Sequence, residues 1–389
     1  MHIGPHKTGS TYIQNMFIRQ KIFLERRRYQ VITLGPRNSP KANAKFAYEL
    51  LHLNDSKMGL GTSNNLVKMI QLKEVLKRSM ELKQNLIFSA EDLSQISIDA
   101  MKLLYDAFHD FNSTIVIVFR DSLVRALSSY RQLCSSNPTL RTIPGFHDFR
   151  SFINQTSQVK GYYSSIIQRY ASIFGLSNIM IIDYYGTIAS QKDIAYALLC
   201  QIDSKLCISS EFFSSGSIEN SFKEHYSLIV SGLFNEVYLT SRQRNCTVRI
   251  PSHKNILGIL QEMIEAQNNV NDVQMIPSYR IHLKDLHDMS IAIDDEIRRE
   301  YASNIINSDR QASIDAIESL TVDELDVHVF RSSKYWQDWM NTCMSSLADL
   351  RLITCPTSDV SSKTSNRLKV WYYLHIIHLY KCIIIGYAM

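Results

Sequence analysis

The chain begins with a short glycine-containing turn that runs directly into a helical pattern. Gly4 and Gly9 enclose the turn, and apolar residues between Tyr12 and Leu24 recur with a period close to 3.6. Glycine lets a backbone turn tightly and approach a ligand closely. The first N–H groups of a helix lack an intrahelical partner and carry partial positive charge. The sequence therefore predicts a loop at a helix N-terminus that can seat a phosphate or sulfate group.

This loop differs from the phosphate loop of nucleoside-triphosphate-binding proteins. The pattern G-x-x-x-x-G-K-[ST] places a lysine directly after the second glycine, and Ser10 occupies that position. The lysine here is Lys7, two residues before Gly9, so its ammonium reaches a different point over an anion. A nucleotide kinase that uses magnesium and a triphosphate donor is kept as an alternative, but this spacing disfavours it.

A second anion-binding position is predicted after a second strand. Residues 114–119 form a continuous, largely β-branched apolar run, which is typical of a strand buried on both faces. Arg120 follows this run directly, and Ser128 lies eight residues further along a helical pattern. Arginine offers a planar, permanently charged fork to phosphate oxygens, and a nearby serine adds a neutral donor.

The stretch of residues 85–93 is predicted to be a third strand that runs straight into acidic residues, which include Glu91. Ligands of open α/β sheets bind at the carboxyl ends of the strands, so we expect Glu91 to share a cleft edge with Lys7 and Arg120. A carboxylate there can take a proton from an attacking hydroxyl. Capping the following helix is the alternative role of Glu91.

Other side chains compete with Glu91 as the base. Asp92 is its immediate neighbour, and His6 and His109 are imidazole candidates. A single histidine is more often structural, so Glu91 is the preferred assignment.

Three segments together resemble a known family. They are G-x-x-K-T-G-S-T over residues 4–11, the Ser-x-Glu of residues 89–91, and the strand that ends in Arg120 with Ser128 eight residues later. In this order they resemble the sulfotransferases that use 3′-phosphoadenosine 5′-phosphosulfate (PAPS). The resemblance covers roughly residues 2–225. It implies an α/β fold with a P-loop-like central parallel sheet flanked by helices.

The resemblance also implies roles for individual residues. Lys7 neutralises charge on the leaving oxygen as the sulfuryl group departs, and Glu91 deprotonates the acceptor hydroxyl. PAPS is the sulfuryl donor, and no metal is expected. The residues implied to bind PAPS are Lys7, Thr8, Gly9, Ser10, Thr11, Arg120 and Ser128.

The sequence departs from the family pattern at three places. Ser122 stands where a proline is usual, and the later glycine-containing basic loop has no clear match. Only three residues precede Gly4, so the first strand looks truncated and any targeting signal or membrane anchor would have been lost with it. The candidates that could complete the 3′-phosphate pocket are Arg242, Arg244, Arg249 and Lys254.

The acceptor is predicted to be a hydroxyl group, and the resemblance favours a carbohydrate because of the K-T-G segment and the glutamate base. A catalytically inert protein that retains the sulfotransferase fold is the second alternative. The formal net charge of +5 over 389 residues lacks the dense basic stripe of a nucleic-acid binder.

The chain is predicted to divide into three parts. Residues 1–240 form the PAPS-binding α/β domain, residues 241–356 a helical C-terminal extension, and residues 357–389 a linker and apolar tail. The tail is apolar over about a bilayer's span but contains histidines and a lysine. Membrane association, through this tail or a lost N-terminal anchor, is therefore left open.

Cysteines and glycosylation sequons bear on the compartment. The seven cysteines include no C-x-x-C pair, which makes a zinc site improbable. Free buried thiols are predicted, with a Cys200–Cys207 bridge as the alternative for an oxidising lumen. Four N-x-[ST] sequons permit a lumenal location, with the Golgi favoured and the cytoplasm as the alternative; they begin at Asn54, Asn112, Asn154 and Asn245.

Overall fold

The structure is a computed structural model of the 389-residue chain. It forms two compact units that alternate along the sequence. The first unit comprises Met1–Arg125, Gln158–Asn220 and Asp285–Ser319, and the second comprises Ala126–Ser157, Ser221–Lys284 and Leu320–Met389. The structure describes residues 1–5, 7–34, 43–51, 62–136, 140, 146, 148–156, 159–190, 192–207, 228–248, 256, 258, 260, 278–280, 284–320, 322–325, 327–333 and 336–355.

Helices dominate the described residues. Short 3-10 turns occur at Glu91–Gln95, Leu176–Asn178, Ser204–Leu206 and Ala302–Asn304. The α-helices are α1 (Ser10–Arg19), α2 (Lys21–Arg26), α3 (Ala44–Leu51), α4 (Thr62–Glu81), α5 (Ile98–Phe108), α6 (Ser122–Ser136), α7 (Phe149–Gln155), α8 (Tyr162–Phe174), α9 (Tyr184–Ala189), α10 (Ile194–Ile202), α11 (Leu228–Gln243), α12 (Lys284–Glu300), α13 (Arg310–Glu318), α14 (Val327–Ser332) and α15 (Trp336–Asp349).

The strands are short. They are β1 (Tyr29–Val31), β2 (Asn85–Ile87), β3 (Ile115–Phe119), β4 (Ile179–Asp183), β5 (Thr247–Val248), β6 (Ser278–Arg280), β7 (Ile305–Ile306), β8 (Asp323–Leu325) and β9 (Ile353–Thr354).

The first unit is built on a parallel sheet. β1 pairs with β2, and β3 pairs with β4, which in turn pairs with β7; every pairing is parallel. The N-terminal residues 1–3 lie between β2 and β3, because His2 forms parallel bridges to both Ser89 and Val116. The N–H of His2 donates to the carbonyl of Phe88 (2.8 Å), and that of Ile3 to the carbonyl of Val116 (3.1 Å). The order is thus β1, β2, residues 1–3, β3, β4 and β7.

This arrangement confirms the predicted α/β class with a P-loop-like parallel sheet. β3 is buried along its whole length, as its uninterrupted apolar sequence predicts. Helices α1 and α10 pack apolar residues against the strands. This cluster includes Ile13, Met16, Phe17, Val116, Val118, Ile182, Leu198 and Leu199.

The second unit has its own core around α11. Several faces of α11 are buried, and it shares an apolar cluster with α15. The second unit also contains two antiparallel strand pairs, β5 with β9 and β6 with β8.

The preferred prediction of free thiols is wrong for four cysteines, and the alternative Cys200–Cys207 bridge is present. Disulfide bonds join Cys200 to Cys207 in the first unit and Cys246 to Cys355 in the second. The second pair spans 109 residues and becomes close only because β5 pairs with β9, so no local spacing signalled it. Cys134 and Cys343 are buried and keep their thiols in the reduced form.

The two units do not follow the predicted boundary near residue 240. Part of the predicted extension, Asp285–Ser319, belongs to the first unit because β7 adds to the edge of β4. The predicted linker and apolar tail, residues 357–389, lie outside the described residues. Among the helices that are described, none combines the length and apolar character needed to cross a membrane.

Candidate anion-binding site

The register of the sheet brings three predicted site segments to one edge. His2 is level with Ser89 on one side and with Val116 on the other. Counting forward in this parallel register places Glu91 level with Gly4, and Arg120 level with the loop that follows Gly4. Neighbouring strands lie about 4.8 Å apart, so Glu91, the loop and Arg120 emerge side by side at the carboxyl edge.

The loop of residues 4–9 is tightly closed. Gly9 adopts a left-handed conformation (φ 83°) and caps the N-terminus of α1, and Lys7 is also left-handed (φ 69°). A Cβ atom on Gly4 would collide with the hydroxyl of Ser10 and the ring of His2. Both glycines are therefore required by the local geometry.

Two of the predicted ligand-binding side chains form hydrogen bonds within the loop. The hydroxyl of Thr8 donates to the carbonyl of Pro5 (2.7 Å), and that of Ser10 donates to the same carbonyl (3.3 Å). Both side chains are buried, whereas Lys7 and Thr11 are half-buried. An anion would thus meet the start of α1 and Lys7, with the Thr8 and Ser10 side chains holding the loop in shape.

Arg120 lies directly against this loop. Its Nη1 donates to the carbonyl of Lys7 (2.9 Å), and its Nε donates to the hydroxyl of Tyr185 (3.1 Å). Its guanidinium carbon is 5.1 Å from the ring centroid of Tyr184, within cation–π range. Burial alone would lower the pKa of Arg120, but the surrounding tyrosines, Tyr185 foremost, raise it overall. Within the described residues, no carboxylate is hydrogen-bonded to this guanidinium.

The two tyrosines begin α9, whose N-terminus is capped by Asp183 at the end of β4. The Oδ1 of Asp183 accepts hydrogen bonds from the N–H groups of Tyr185 (3.1 Å) and Gly186 (3.2 Å), which caps α9. The ring of Tyr184 also packs on the loop, since a Cβ on Gly9 would lie 3.5 Å from it. Sequence reasoning missed both tyrosines. An acid that ends a buried strand and is followed by two aromatics was the available signal.

Glu91 begins the 3-10 turn Glu91–Gln95 and is half-buried. Its carbonyl accepts from the hydroxyl of Ser94 (3.0 Å), so the start of the turn is fixed. The negative charge of Glu91 also affects His2. Burial lowers the pKa of His2 to about 3, and the charge of Glu91 opposes that shift. His2 is therefore neutral at physiological pH. The position of Glu91 suits both a base beside the loop and the helix-start role.

The competing bases are placed differently. Asp92 is half-buried in the same turn as Glu91. His109 follows α5 on the amino side of β3, and its ring contacts the carbonyl of Asp106 (2.8 Å) and the carboxylate of Asp110 (2.9 Å). It is thus at the edge opposite to Glu91. His6 lies outside the described residues.

The remaining predicted phosphate ligands belong to the second unit. Ser128 is half-buried on α6, whose chain passes from the first unit to the second after Arg125. Arg242 and Arg244 are exposed at the end of α11. Arg249 and Lys254 lie outside the described residues. Among the residues that are described, no cluster of three or more His, Cys, Asp or Glu could hold a metal ion.

Comparison with known proteins gives little further information. No protein-family profile matches the chain, and no curated protein matches it. Among solved structures, the chain is similar to the crystal structure of a sulfotransferase from Alicyclobacillus acidocaldarius, at 15% identity and a TM-score of 0.34. The match covers 62% of this chain and 94% of the other. A likeness of this strength assigns no activity.

Proposed function

We propose that this chain is a sulfotransferase that moves the sulfuryl group of PAPS to an acceptor hydroxyl of a carbohydrate. The observation that supports this most is the placement of Arg120 against the loop of residues 4–9, bonded to neutral oxygens of Lys7 and Tyr185. A permanently charged guanidinium without a described carboxylate partner leaves positive potential for an anionic ligand.

The loop suits the 5′-phosphosulfate end of the donor. Gly4 and Gly9 allow the backbone to close around an anion, and the N–H groups that open α1 carry partial positive charge. The amides of Lys7 to Thr11 would hold the group. Lys7 adds a full positive charge beside it.

Arg120 suits the 3′-phosphate end. Two of its N–H groups are used by Lys7 and Tyr185, and a guanidinium carries five donors, so further N–H groups are left for phosphate oxygens. Ser128 would supply the neutral donor. Since Arg120 also touches the loop, its substitution would affect both ends of the nucleotide.

The chemistry requires charge stabilisation and proton removal. PAPS supplies a sulfuryl group on a phosphate leaving group. Lys7 would stabilise the negative charge that develops on the leaving oxygen. Glu91, at the same edge of the sheet, would take the proton of the attacking hydroxyl.

Nucleotide binding separates this proposal from the kinase alternative. Titration calorimetry would compare 3′-phosphoadenosine 5′-phosphate with ATP in the presence of magnesium. We expect heat of binding from the 3′-phosphorylated nucleotide and little from ATP. The reverse preference would favour the kinase.

Transfer of labelled sulfate tests the catalytic roles. We expect Lys7→Ala to lower the rate by roughly 100- to 1,000-fold, and Glu91→Gln by roughly 100- to 10,000-fold with nucleotide binding retained. Asp92→Asn is the matched control, because it removes the neighbouring carboxylate of the same turn, and its rate should stay near that of the wild type. A wild type that binds nucleotide but transfers nothing would favour the inert alternative.

The most specific part of the proposal is that the acceptor is a carbohydrate. It is supported by the Lys7-Thr8-Gly9 segment and by a glutamate base. A screen of sugar, tyrosine and phenol acceptors with labelled PAPS tests it, and transfer to phenols alone would exclude it.

A further inference from the structure

Several glycosylation sequons lie on the surface of the folded chain. Asn112, Asn154 and Asn245 are all exposed, and Asn54 lies outside the described residues. We infer that Asn112 and Asn245 carry N-linked oligosaccharides, attached in the oxidising lumen of a secretory compartment. This inference is independent of the proposed sulfuryl transfer.

Asn112 lies in the turn between α5 and β3, and its sequon threonine, Thr114, is exposed as well. Because β3 starts at Ile115, this turn is at the amino edge of the sheet, whereas Arg120 follows the carboxyl end of the same strand. A five-residue strand spans about 17 Å. An oligosaccharide on Asn112 would therefore leave the loop and Glu91 uncovered.

Asn245 follows α11 in a left-handed conformation (φ 56°), which asparagine tolerates better than most residues. It is exposed, and so is its sequon threonine, Thr247. The middle residue of the sequon, Cys246, is bonded to Cys355, which lies 109 residues later. A chain that enters the lumen N-terminus first presents this sequon long before the disulfide can form.

The disulfides are a second, independent observation. Cys246–Cys355 and Cys200–Cys207 are each in a different unit. Disulfides persist in oxidising compartments and are rare in the cytosol. N-glycosylation of N-x-[ST] asparagines is a surface modification of secreted proteins. The sequon asparagine Asn245 and the disulfide-bonded Cys246 are adjacent residues.

The sequon of Asn154 differs from the other two in the placement of its threonine. Its sequon threonine, Thr156, is half-buried, and its hydroxyl donates to the carbonyl of Phe152 (2.7 Å). Neither Thr114 nor Thr247 shares this arrangement.

The attachment is a group transfer from a lipid-linked oligosaccharide. A bond forms between the asparagine Nδ2 and C1 of the first sugar. The bond between C1 and the lipid pyrophosphate breaks, the pyrophosphate keeps the electron pair, and Nδ2 loses one proton, which is released to water.

Mass spectrometry of the native protein, captured from its own cells with an antibody against this chain, tests the inference. Peptide N-glycosidase converts a glycosylated Asn into Asp, so we expect Asp at positions 112 and 245 after treatment. The Asn245 peptide should also stay linked to the Cys355 peptide until it is reduced. Unconverted asparagine at a position overturns the inference for that site.

Matched threonine variants give a second readout in the same cells. Thr114→Ala and Thr247→Ala each destroy one sequon, whereas Thr114→Ser and Thr247→Ser keep it. We expect each alanine variant to lose one glycosidase-sensitive step in gel mobility, and each serine variant to migrate like the wild type. An alanine variant that migrates like the wild type would overturn that site. Because mobility is read without an activity assay, failure of the proposed sulfuryl transfer would not alter the result.

Discussion

Two arginines of the first unit lie close to β3 and have hydrogen-bond partners of different charge. Arg298 lies 5.3 Å from the ring centroid of Phe119 and donates to the carboxylate of Asp183 (2.6 Å) and to the hydroxyls of Ser308 (2.8 Å) and Ser313 (2.6 Å). Arg120, which follows Phe119 in sequence, donates to a carbonyl and a phenol. The charge of Arg298 is therefore paired with a carboxylate, whereas the described hydrogen-bond partners of Arg120 are neutral.

This difference separates a structural cation from a ligand-binding one. A buried carboxylate such as Asp183 needs a cation and hydrogen bonds to offset its desolvation, and Arg298 with the backbone supplies both. Arg120 is held in position by neutral groups, which fix its orientation and add no opposite charge beside it. Substitutions at the two positions should therefore affect different properties.

The largest effect is expected from Arg298→Ala. It would leave the Asp183 carboxylate, whose side chain is 1% exposed, without its cation. Breaking a buried pair costs about 3–5 kcal/mol. Hydrogen exchange of the β4 amides would report this loss in the first unit. Arg310→Ala is the control, because Arg310 pairs with Asp295 on the surface and exposed pairs contribute little. Equal effects of both variants would contradict the structural role of Arg298.

Arg120→Ala should affect binding more than stability. Hydrogen bonds to charged groups contribute about 1.5–3 kcal/mol, so we expect the Kd for 3′-phosphoadenosine 5′-phosphate to rise roughly 10- to 100-fold. Calorimetry measures this directly. Arg120→Lys keeps the charge but loses the planar fork, and we expect it to rescue binding only in part. Unchanged affinity in the alanine variant would remove Arg120 from the nucleotide site.

A smaller, pH-dependent effect is expected from Asp294→Asn. The carboxylate of Asp294 accepts from Ser122 (3.0 Å), and nearby Asp121 accepts from Ser290 (3.0 Å). Burial first, and then the charge of Asp121, raise the pKa of Asp294 well above its ordinary value, while the hydrogen bond from Ser122 and then the charge of Arg298 oppose the shift.

The sign of the effect follows from proton binding. Between the unfolded and folded pKa values of Asp294, the native state holds a proton that the unfolded state has released. Stability therefore falls as pH rises, by at most about 1.4 kcal/mol per pH unit for one proton. Asp294→Asn should flatten this slope in denaturation measured from pH 4 to pH 9. A slope identical to that of the wild type would show that Asp294 is not the proton carrier.

The smallest effect is expected from Tyr185→Phe. It removes one neutral acceptor of Arg120 while leaving the ring in place. A hydrogen bond of this kind contributes about 0.5–1.5 kcal/mol, so nucleotide affinity should weaken less than in Arg120→Ala. Tyr105→Phe, on the exposed side of α5, is the calorimetric control. A larger loss than that of Arg120→Ala would indicate that Tyr185 contacts the nucleotide itself.

The parts of the fold that were predictable have strong local signals. β3 is a continuous apolar run, β4 is apolar up to Asp183, and α8 is followed directly by Gly175 (φ 84°), a residue type that commonly ends helices. β7 was missed because it has two residues and is defined by its partners Ile181 and Ile182. Its sequence alone carries no strand period.

The candidate site was partly predictable for the same reason. Lys7, Glu91 and Arg120 follow recognisable strands, and the carboxyl edge of the sheet gathers them. Their roles in binding and catalysis stay predictions. Tyr184 and Tyr185 were missed, since their contact with Arg120 depends on the pairing of β3 with β4.

The late return of the chain to the sheet limits how the protein can be divided. Any fragment that stops before α12 lacks both the edge strand β7 and the guanidinium that balances Asp183. We expect such a fragment to be unstable on its own, even though it contains the whole anion-binding loop. A separate peptide that spans Asp285–Ser319 should then restore it by complementation, in the manner of a split enzyme.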